Sequence, residues 1–568
     1  MSQRTPHSNS WLQSLNQWFQ GTSKRKGYEE QETPAPAHVE FLENRQLLSA
    51  TNSAAANEQN AANTASNTEQ TANAAGSTST TTTTHGVDAN GNATTTITIT
   101  TTTTDEDGNV TTSSTSTTTV DGETETPSTN IDSDQAIASA VQADGKIVLV
   151  GAVQMDTHGN YDFAVTRLNA DGSLDTTFGD NGRKIISFDL GGTDADGYLS
   201  ADLDVANCVA IQSDGKIVVG GYAQRDSTGN FDFAVVRLNT DGSLDTTFSS
   251  DGKAIVAFDY GGQGDDRATG VAIQADGMIV LVGTCQQNAS GTGDIAMARL
   301  RTDGSLDTGF TGDGRKWIDL SGGGDDAGAA VAIQSDGSIV VVGYSTSESG
   351  ENNFAIARVT PNGSLDYSFS GDGKKTVSFN LGGSDRATSV AIQADGSIVV
   401  AGSASAANGD SDFAIARVTK SGGMDTTFSG DGRKTVSYNL GANNVDEATG
   451  VAIQSDGSIV IAGYSQVSAS GDFDFSVARL TSVGELDTLF ASGGKKSIPF
   501  NMGGSDGDVA NGMVMQPDGK IIVVGYATAS DPSNTDFAIA RLNGDGDFDT
   551  TFGSGGKKTI AFDVTETD

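Results

Sequence analysis

One unit of about 60 residues occurs seven times along this chain. Successive copies of its Q-x-D-G turn are separated by 70, 62, 60, 59, 61 and 62 residues. A long fixed period that contains several strand-like runs is typical of propellers and solenoid arrays rather than of a globular enzyme with a single site. The aspartates of these turns are Asp144, Asp214, Asp276, Asp336, Asp395, Asp456 and Asp518.

Each unit contains four short runs that suit β-strands. In the second repeat, the apolar runs cover residues 209–211, 217–219, 233–238 and 255–258. They are rich in β-branched and aromatic residues and too short for helices. Asp-Gly turns separate the first run from the second and the third run from the fourth, because glycine adopts a positive φ without steric cost. Four antiparallel strands in sequence form a meander, which predicts one propeller blade per repeat.

Seven such blades account for residues 131–568 and predict an all-β, seven-bladed β-propeller. A closed ring leaves only short sheet edges, whereas an open array needs polar caps at both ends. The last repeat resembles the others and ends in an ordinary fourth run, residues 557–562. We therefore expect closure, with an open array or a two-sheet packing as the alternative.

Two charged residues recur once in every repeat, and we interpret them as structural. A catalytic device is rarely needed seven times, whereas a partly buried arginine always needs an acceptor. A charge pair within or between blades explains both series. The L-D-x-x-F phenylalanines are expected to fill the gaps between blades. The arginines are Arg167, Arg237, Arg299, Arg358, Arg417, Arg479 and Arg541; the aspartates are Asp175, Asp245, Asp307, Asp366, Asp425, Asp487 and Asp549; the phenylalanines are Phe178, Phe248, Phe310, Phe369, Phe428, Phe490 and Phe552.

The repeat resembles the delta-60 unit of bacterial proteins, and its strand-turn-strand segment G-V-A-I-Q-S-D-G-K-I-V-V is also similar to NHL-type propeller blades. The resemblance covers about three quarters of the chain. It implies a β-propeller in a large secreted or surface-located bacterial protein. It implies no shared reaction and no catalytic residues.

Charge and composition exclude several classes of partner. The 568 residues carry a formal net charge of −40, which disfavours nucleic acid and anionic membranes. No apolar stretch is long enough for a transmembrane helix. The two cysteines, Cys208 and Cys285, lie at non-equivalent places in neighbouring repeats, so we expect buried thiols, with a disulfide as the alternative.

The first 50 residues read as a leader. Residues 11–19 present tryptophan, leucine and phenylalanine on one face of a short helix, and basic residues 24–26 follow. No apolar core of an ordinary secretory signal is present. Residues 41–50 resemble the LEPR-x-L-L motif of exported bacterial proteins: Leu42, Glu43, Arg45, Leu47 and Leu48 match, and asparagine 44 stands in place of the proline. This resemblance implies a non-standard export or sorting signal, and the alternative is a short amphipathic helix without that role.

Residues 51–130 form a low-complexity linker or stalk. Residues 51–76 are rich in Ala, Asn, Thr, Gln and Glu without an apolar period, which predicts disorder. Residues 77–126 are rich in threonine and interrupted by Asp/Asn-Gly turns, which fits either a thin stack of β-hairpins or an extended glycosylated stalk. Both interpretations make this region a spacer.

The usual catalytic sets are missing from the sequence. Its four histidines are His7, His38, His85 and His158, and only the last lies in the propeller. This rules out a zinc set of histidines and cysteines and leaves a Ser-His-Asp device only if His158 belongs to it. No phosphate-binding G-x-x-x-x-G-K-[ST] loop occurs. We therefore expect no enzyme.

The connection after the first repeat is about ten residues longer than its counterparts and suggests Ca²⁺, the one cofactor that the sequence points to. Asp194, Asp196, Asp202 and Asp204 offer hard oxygen ligands, although the twelfth-position glutamate of an EF-hand is absent. Residues 544–549, with three aspartates, form a weaker candidate. In both places, the alternative is a solvated acidic turn.

Four tyrosines follow the second strands and offer rings for stacking on sugars, although strand-end tyrosines more often pack with only the hydroxyl in water. They are Tyr222, Tyr344, Tyr464 and Tyr526. Taken together, these features predict an exported, acidic, monomeric, non-enzymatic propeller that serves binding, adhesion or structure at the bacterial cell surface, with a protein or carbohydrate partner. Two alternatives stay open: a hydrolase or lactonase with Ca²⁺ in the central channel, and a self-assembling coat protein.

Overall fold

The computed structural model divides the chain into two compact units, residues 1–129 and 130–568. In the first unit, it describes the backbone of residues 66–73, 77–87, 93–104 and 110–120. In the second unit, it describes residues 133–156, 159–188, 190, 203–225, 230–258, 264–286, 292–438, 445–468, 472–500, 502, 507–529 and 534–562. Within these ranges every regular element is a β-strand, and no helix is long and apolar enough to cross a membrane.

Four antiparallel strands form one sheet in the first unit, in the order β1-β2-β3-β4. They span Ser66–Asn73 (β1), Ser77–Val87 (β2), Ala93–Thr104 (β3) and Val110–Val120 (β4). Strands β2 to β4 agree with the hairpin stack that the threonine-rich sequence allows. Strand β1 lies inside residues 51–76, for which the composition predicts disorder; pairing with β2 gives its backbone the hydrogen bonds that local composition does not indicate. The leader lies outside the described residues.

The second unit consists of seven sheets of four consecutive antiparallel strands, which confirms the seven-bladed propeller. The strands are Gln135–Val141, Ile147–Gln154, Tyr161–Leu168 and Arg183–Ile186 in blade 1 (β5–β8); Val205–Ile211, Ile217–Gln224, Phe231–Leu238 and Lys253–Val256 in blade 2 (β9–β12); Arg267–Ile273, Ile279–Gln286, Gly293–Leu300 and Arg315–Ile318 in blade 3 (β13–β16); Asp326–Ile333, Ile339–Thr346, Asn352–Val359 and Lys374–Val377 in blade 4 (β17–β20); Gly382–Ile392, Ile398–Ala406, Ser411–Val418 and Arg433–Val436 in blade 5 (β21–β24); Asp446–Ile453, Ile459–Gln466, Phe473–Leu480 and Lys495–Ile498 in blade 6 (β25–β28); and Val509–Met515, Ile521–Thr528, Thr535–Leu542 and Lys557–Ile560 in blade 7 (β29–β32).

The first strand of each blade is the innermost. First strands of neighbouring blades contact one another around the whole ring, whereas each fourth strand pairs only with the third strand of its own blade. The second and third strands are the most deeply buried, because both of their faces are covered by adjacent blades. This burial explains why their sequences are nearly continuous apolar runs rather than alternating ones.

The hydrophobic core lies between blades. The described core separates into seven clusters, and each one joins side chains of two neighbouring blades. One of them, for example, packs Phe163 and Phe178 of blade 1 against Val219 and Val236 of blade 2. No blade can bury its apolar faces alone, so the ring must assemble as a whole.

Blade 7 closes the ring on blade 1 without exchanging a strand. The Asn511 side-chain amide donates to the carbonyl of Ala136 at 2.9 Å, and the backbone amide of Asp134 donates to the Thr535 carbonyl at 2.7 Å. A shared core cluster also spans these two blades. The two ends of the repeat array are therefore joined by the same kinds of contact that join all the other blades.

The repeated arginine, aspartate and phenylalanine join each blade to the next, as the sequence predicts. In blade 5, Arg417 Nε donates to Asp425 Oδ2 at 2.7 Å, and a second guanidinium nitrogen donates to the Ser482 carbonyl of blade 6 at 2.6 Å. The guanidinium also lies over the Phe428 ring, 4.8 Å from its centre. The same ion pair occurs in all seven blades.

Both cysteines are buried free thiols, as expected. Cys208 Sγ donates to the Gly220 carbonyl at 3.3 Å, and burial raises the pKa of its thiol well above the ordinary value. Cys285 belongs to the core cluster between blades 2 and 3. Neither thiol has the exposure that a reactive cysteine needs.

Candidate functional site

The antiparallel meander sorts the connections of every blade onto two faces of the ring. We call the first the turn face: it carries the Q-x-D-G turns between strands 1 and 2 and the L-D-x-x-F turns between strands 3 and 4. We call the second the loop face: it carries the loops between strands 2 and 3 and the connections from one blade to the next. The turn face repeats nearly the same sequence seven times, whereas the loop face differs from blade to blade.

Residues of the turn face stabilise the turns and the packing between neighbouring blades. Its aspartates accept hydrogen bonds from their own turns, as where Asp425 Oδ1 accepts from the amide of Thr427 at 3.0 Å. The turn glycine after each third strand has a positive φ and lies against the preceding blade: a Cβ on Gly484 would lie 2.8 Å from the Phe428 ring. Changes on this face therefore disturb packing. A recognition site that differs between blades belongs on the loop face.

A ring of seven buried aspartates underlies the loop face at the entry to each first strand. In each case, Oδ2 accepts a backbone N–H from the end of the preceding blade, at 2.5 to 2.8 Å. A carboxylate there satisfies an amide that the crossing between blades would otherwise leave buried and unpaired. The seven are Asp134, Asp204, Asp266, Asp326, Asp385, Asp446 and Asp508.

This ring gives one of the predicted Ca²⁺ ligands a structural role. Asp204 is fully buried and accepts a hydrogen bond from the Phe188 amide at 2.6 Å, as its six counterparts do at the other junctions. Asp194, Asp196 and Asp202 lie outside the described residues. Binding of Ca²⁺ by these four aspartates remains a prediction.

The weaker acidic candidate, residues 544–549, is not supported by the structure. Asp549 pairs with Arg541 at 2.8 Å and with Lys520 at 3.1 Å, as a member of the repeated ion-pair series. Asp545 accepts a hydrogen bond from the Asp547 amide within the turn. Asp545 and Asp549 are therefore engaged within blade 7, and in the described part of the chain the aspartates of this segment do not form a group with metal-ligand spacing.

Burial of the aspartate ring makes stability depend on pH. Burial raises the pKa of Asp266 to about 7 and that of Asp446 to about 6. The folded state therefore holds these protons more tightly than the unfolded state, and stability present below about pH 4 is lost as the pH rises through 6 to 7. We expect urea unfolding, measured with EDTA, to show lower stability at pH 8 than at pH 5, by about 1 kcal/mol or more.

Asp446→Asn isolates one member of this ring. Asparagine keeps an oxygen for the Tyr438 amide, which lies 2.6 Å from Asp446 Oδ2, but it cannot titrate. The difference in stability between pH 5 and pH 8 should shrink in this variant. An unchanged difference would assign the pH dependence to other groups, such as the general negative charge of the surface.

Three acidic side chains lie close together at the junction between blades 3 and 4. Asp294, Asp319 and Asp326 bring carboxylate oxygens within 4.8 Å of one another between blades 3 and 4. They are the one group of three or more acidic, histidine or cysteine side chains with metal-ligand spacing in the described part of the chain. Sequence reasoning missed this cluster, because it selected an acidic run along the chain, whereas these ligands come from three separate elements.

The strand-end tyrosines are largely occupied by packing partners. Tyr222 is only 4% exposed, lies edge-on to Phe231 and is covered by the Arg267 guanidinium 4.8 Å from its ring centre. Arg386 lies over Tyr344 in the same way, at 4.9 Å. Each guanidinium covers one face of its ring, and Tyr222 is also buried, which argues against the sugar-stacking hypothesis for Tyr222.

The repeats are also recognised by sequence comparison. Seven segments match the model of a family described as domain of unknown function (DUF5122) beta-propeller: residues 142–178, 212–248, 274–310, 334–369, 393–428, 454–490 and 516–552. Each segment runs from the Q-x-D-G turn to the L-D-x-x-F turn, so it covers the two most buried strands and both turns of one blade. The matched segments therefore contain the repeated turns and the most buried strands, together with the loop between strands 2 and 3.

More distant likenesses are to solved propellers and hydrolases. The beta-propeller domain of the Trilobed protease from Pyrococcus furiosus is 9% identical over 72% of this chain and 94% of that chain, with a TM-score of 0.35. A thermostable family-43 glycoside hydrolase is 14% identical over 53% and 94%, with a TM-score of 0.28, and a Hadza microbial sialidase is 11% identical over 65% and 71%, with a TM-score of 0.35. No curated protein matches the chain in sequence. At these identities and TM-scores, the likenesses say nothing about a reaction or a ligand.

Proposed function

We propose that this protein is an exported binding module of the bacterial cell surface that recognises its partner with the loop face of the propeller. One observation carries the proposal: the turn face is nearly identical in seven blades, whereas the loop face differs in each. A rigid ring with one constant and one variable face suits a scaffold that presents loops. The proposed partner is a protein or carbohydrate of the cell surface.

The loops between strands 2 and 3 supply the variation. In blade 4 the connecting residues 347–351 read S-E-S-G-E, and the equivalent residues 406–410 of blade 5 read A-A-N-G-D. The strands on either side pair in the same register in both blades. A loop can therefore change without disturbing the sheet, which is the property that a recognition surface needs. The six variable loops cover residues 223–230, 285–293, 345–353, 403–411, 465–471 and 527–535.

Export and the spacer complete the proposal. The net charge of −40 favours solubility and disfavours nucleic acid. The leader with its LEPR-like segment supports export by a non-standard route. The threonine-rich unit would hold the propeller away from its point of attachment.

Binding is tested with the full chain on an array of bacterial surface glycans and on purified surface proteins. Replacing residues 347–351 by A-A-N-G-D, the sequence of residues 406–410 in blade 5, alters the loop face while keeping the loop length and the strand pairing. Tyr367→Thr is the matched control on the turn face, because Tyr367 is exposed and all six other repeats carry threonine there. The loop replacement is expected to weaken binding at least tenfold, and the control is expected to leave it unchanged.

Other outcomes would favour the alternatives. Loss of binding in Tyr367→Thr alone would place recognition on the turn face and contradict the proposal. Absence of any ligand, together with concentration-dependent assembly in sedimentation, would indicate a coat protein. Release of sugar or cleavage of a lactone by the wild-type chain would overturn the non-enzymatic proposal.

A further inference from the structure

The junction between blades 3 and 4 differs from the other six at one position. The residue that follows the fourth strand by one place is Asp319 here, and elsewhere it is small or apolar. Its counterparts are Ser187, Ala257, Ser378, Ser437, Pro499 and Ala561. The other two members of the cluster are repeated residues: Asp326 belongs to the buried ring, and Asp294 is the second residue of a third strand, where five other blades also carry aspartate.

Three carboxylates meet at this junction with little exposure to solvent. Asp326 is 0% exposed, Asp294 is 9% exposed and Asp319 is half-buried. Their oxygens lie within 4.8 Å of one another. Like charges at this separation repel strongly when they are removed from water. A positive charge between them would relieve that repulsion.

The hydrogen bonds of the protein leave part of this cluster unsatisfied. Asp326 Oδ2 accepts from the amides of Leu320 and Ser321, but its enclosed Oδ1 accepts no well-formed hydrogen bond from the described residues, although the Ser345 hydroxyl lies beside the carboxylate. Within the same described ranges, the Asp294 carboxylate has no hydrogen bond or ion pair. Asp319 Oδ1 accepts from the Gly322 amide at 2.6 Å, which fixes its orientation.

The nearest lysine is already engaged in another contact. Lys374 of blade 4 donates to the backbone carbonyl of Asp319, and in the described residues it forms no ion pair with the three carboxylates. The first residue of each fourth strand is a lysine or arginine. At all seven junctions its side chain donates to the backbone carbonyl that corresponds to that of Asp319, including the junctions with serine or alanine in place of Asp319. Lys374 is therefore a contact between blades, and it offsets only one of three negative charges.

We propose that Asp294, Asp319 and Asp326 bind Ca²⁺ between blades 3 and 4. The donors are all hard carboxylate oxygens, which favours Ca²⁺ over zinc. Oxygens up to 4.8 Å apart can both contact an ion at about 2.4 Å, the usual Ca²⁺–oxygen distance. Water completes the coordination, and we expect a Kd of about 10⁻⁴ to 10⁻³ M, as in extracellular calcium modules. This site is independent of the ligand proposed for the loop face.

Calorimetry and terbium luminescence on the full, EDTA-treated chain test the site. Trp317, the only tryptophan of the propeller, lies two residues from Asp319 along the chain, so it can sensitise a bound Tb³⁺ ion. Ca²⁺ is expected to give heat and to quench the Tb³⁺ signal by competition. Asp319→Ser should weaken binding at least tenfold while the chain stays folded, because three other junctions already carry serine there. Trp317→Phe should abolish the luminescence and keep the heat.

A gain-of-site variant and a second loss variant make the outcome decisive. Ser437→Asp adds a third carboxylate beside Asp412 and Asp446 at the junction of blades 5 and 6, and it is expected to raise the number of bound Ca²⁺ ions by one. The double variant Asp194→Asn, Asp196→Asn should leave the Tb³⁺ signal near Trp317 unchanged. Equal binding by the wild type and Asp319→Ser, no binding by the wild type, or binding of Mg²⁺ without Ca²⁺ would each overturn the proposal.

Discussion

Replacing Gly402 by alanine is expected to destabilise the propeller by about 3 kcal/mol or more, the largest effect of any single methyl group added to blade 5. Gly402 lies in the second strand with an ordinary φ. A Cβ there would lie 1.9 Å from the Arg386 carbonyl oxygen and 2.8 Å from the Ala387 Cα of the first strand. A β-bulge between Ala387 and Ser389 pushes that strand towards the glycine. Alanine would force the two strands apart.

Urea unfolding of Gly402→Ala at a fixed pH measures this effect. Gly423→Ala is the control within the same blade, because its added Cβ would meet only Thr419 Oγ1 at 3.5 Å and other repeats carry larger residues there. The control should change stability by less than about 0.5 kcal/mol. Equal stability of the two variants would contradict the close approach between strands 1 and 2.

Arg417→Ala is expected to lower the free energy of unfolding by about 3 to 5 kcal/mol and the Tm by several degrees. Arg417 is 7% exposed. Its loss leaves the carboxylate of Asp425 without its counter-ion and the Ser482 carbonyl of blade 6 without its donor. It also removes the cation from the Phe428 ring at the contact between blades. Thermal and urea unfolding measure the change.

Two further variants separate the buried charge from general loss of contacts. Lys434→Ala removes an exposed pair with Glu485 at 3.4 Å and should cost less than about 1 kcal/mol. Adding Asp425→Asn to Arg417→Ala should restore part of the stability, because asparagine keeps the turn bonds to Thr427 without a buried charge. An unchanged melt of Arg417→Ala would reject the structural role of the arginine series.

The sequence predicted the candidate sites less well than the fold. The acidic run of residues 194–204 suggests a Ca²⁺ site because its carboxylates are close along the chain. The structure describes only Asp204 of the four candidate ligands, and Asp204 accepts a backbone N–H as its six counterparts do at the other junctions. The cluster of Asp294, Asp319 and Asp326 left a weaker signal, a single aspartate where the other repeats carry serine, alanine or proline. Alignment of the seven repeats reveals that exception, but only the structure shows which carboxylates face it.

The repeat period and the four apolar runs in each copy determined by themselves that the chain forms seven four-stranded blades, because each run is too short for a helix and no blade can bury its faces alone. The sequence also indicated the arginine–aspartate pairs, since a buried charge needs a partner within reach. Tertiary structure alone decided how strand 1 bulges against the glycine of strand 2, how blade 7 joins blade 1 and which aspartates meet at a junction. These features depend on distances between residues that are far apart in the chain, and local pattern does not encode such distances.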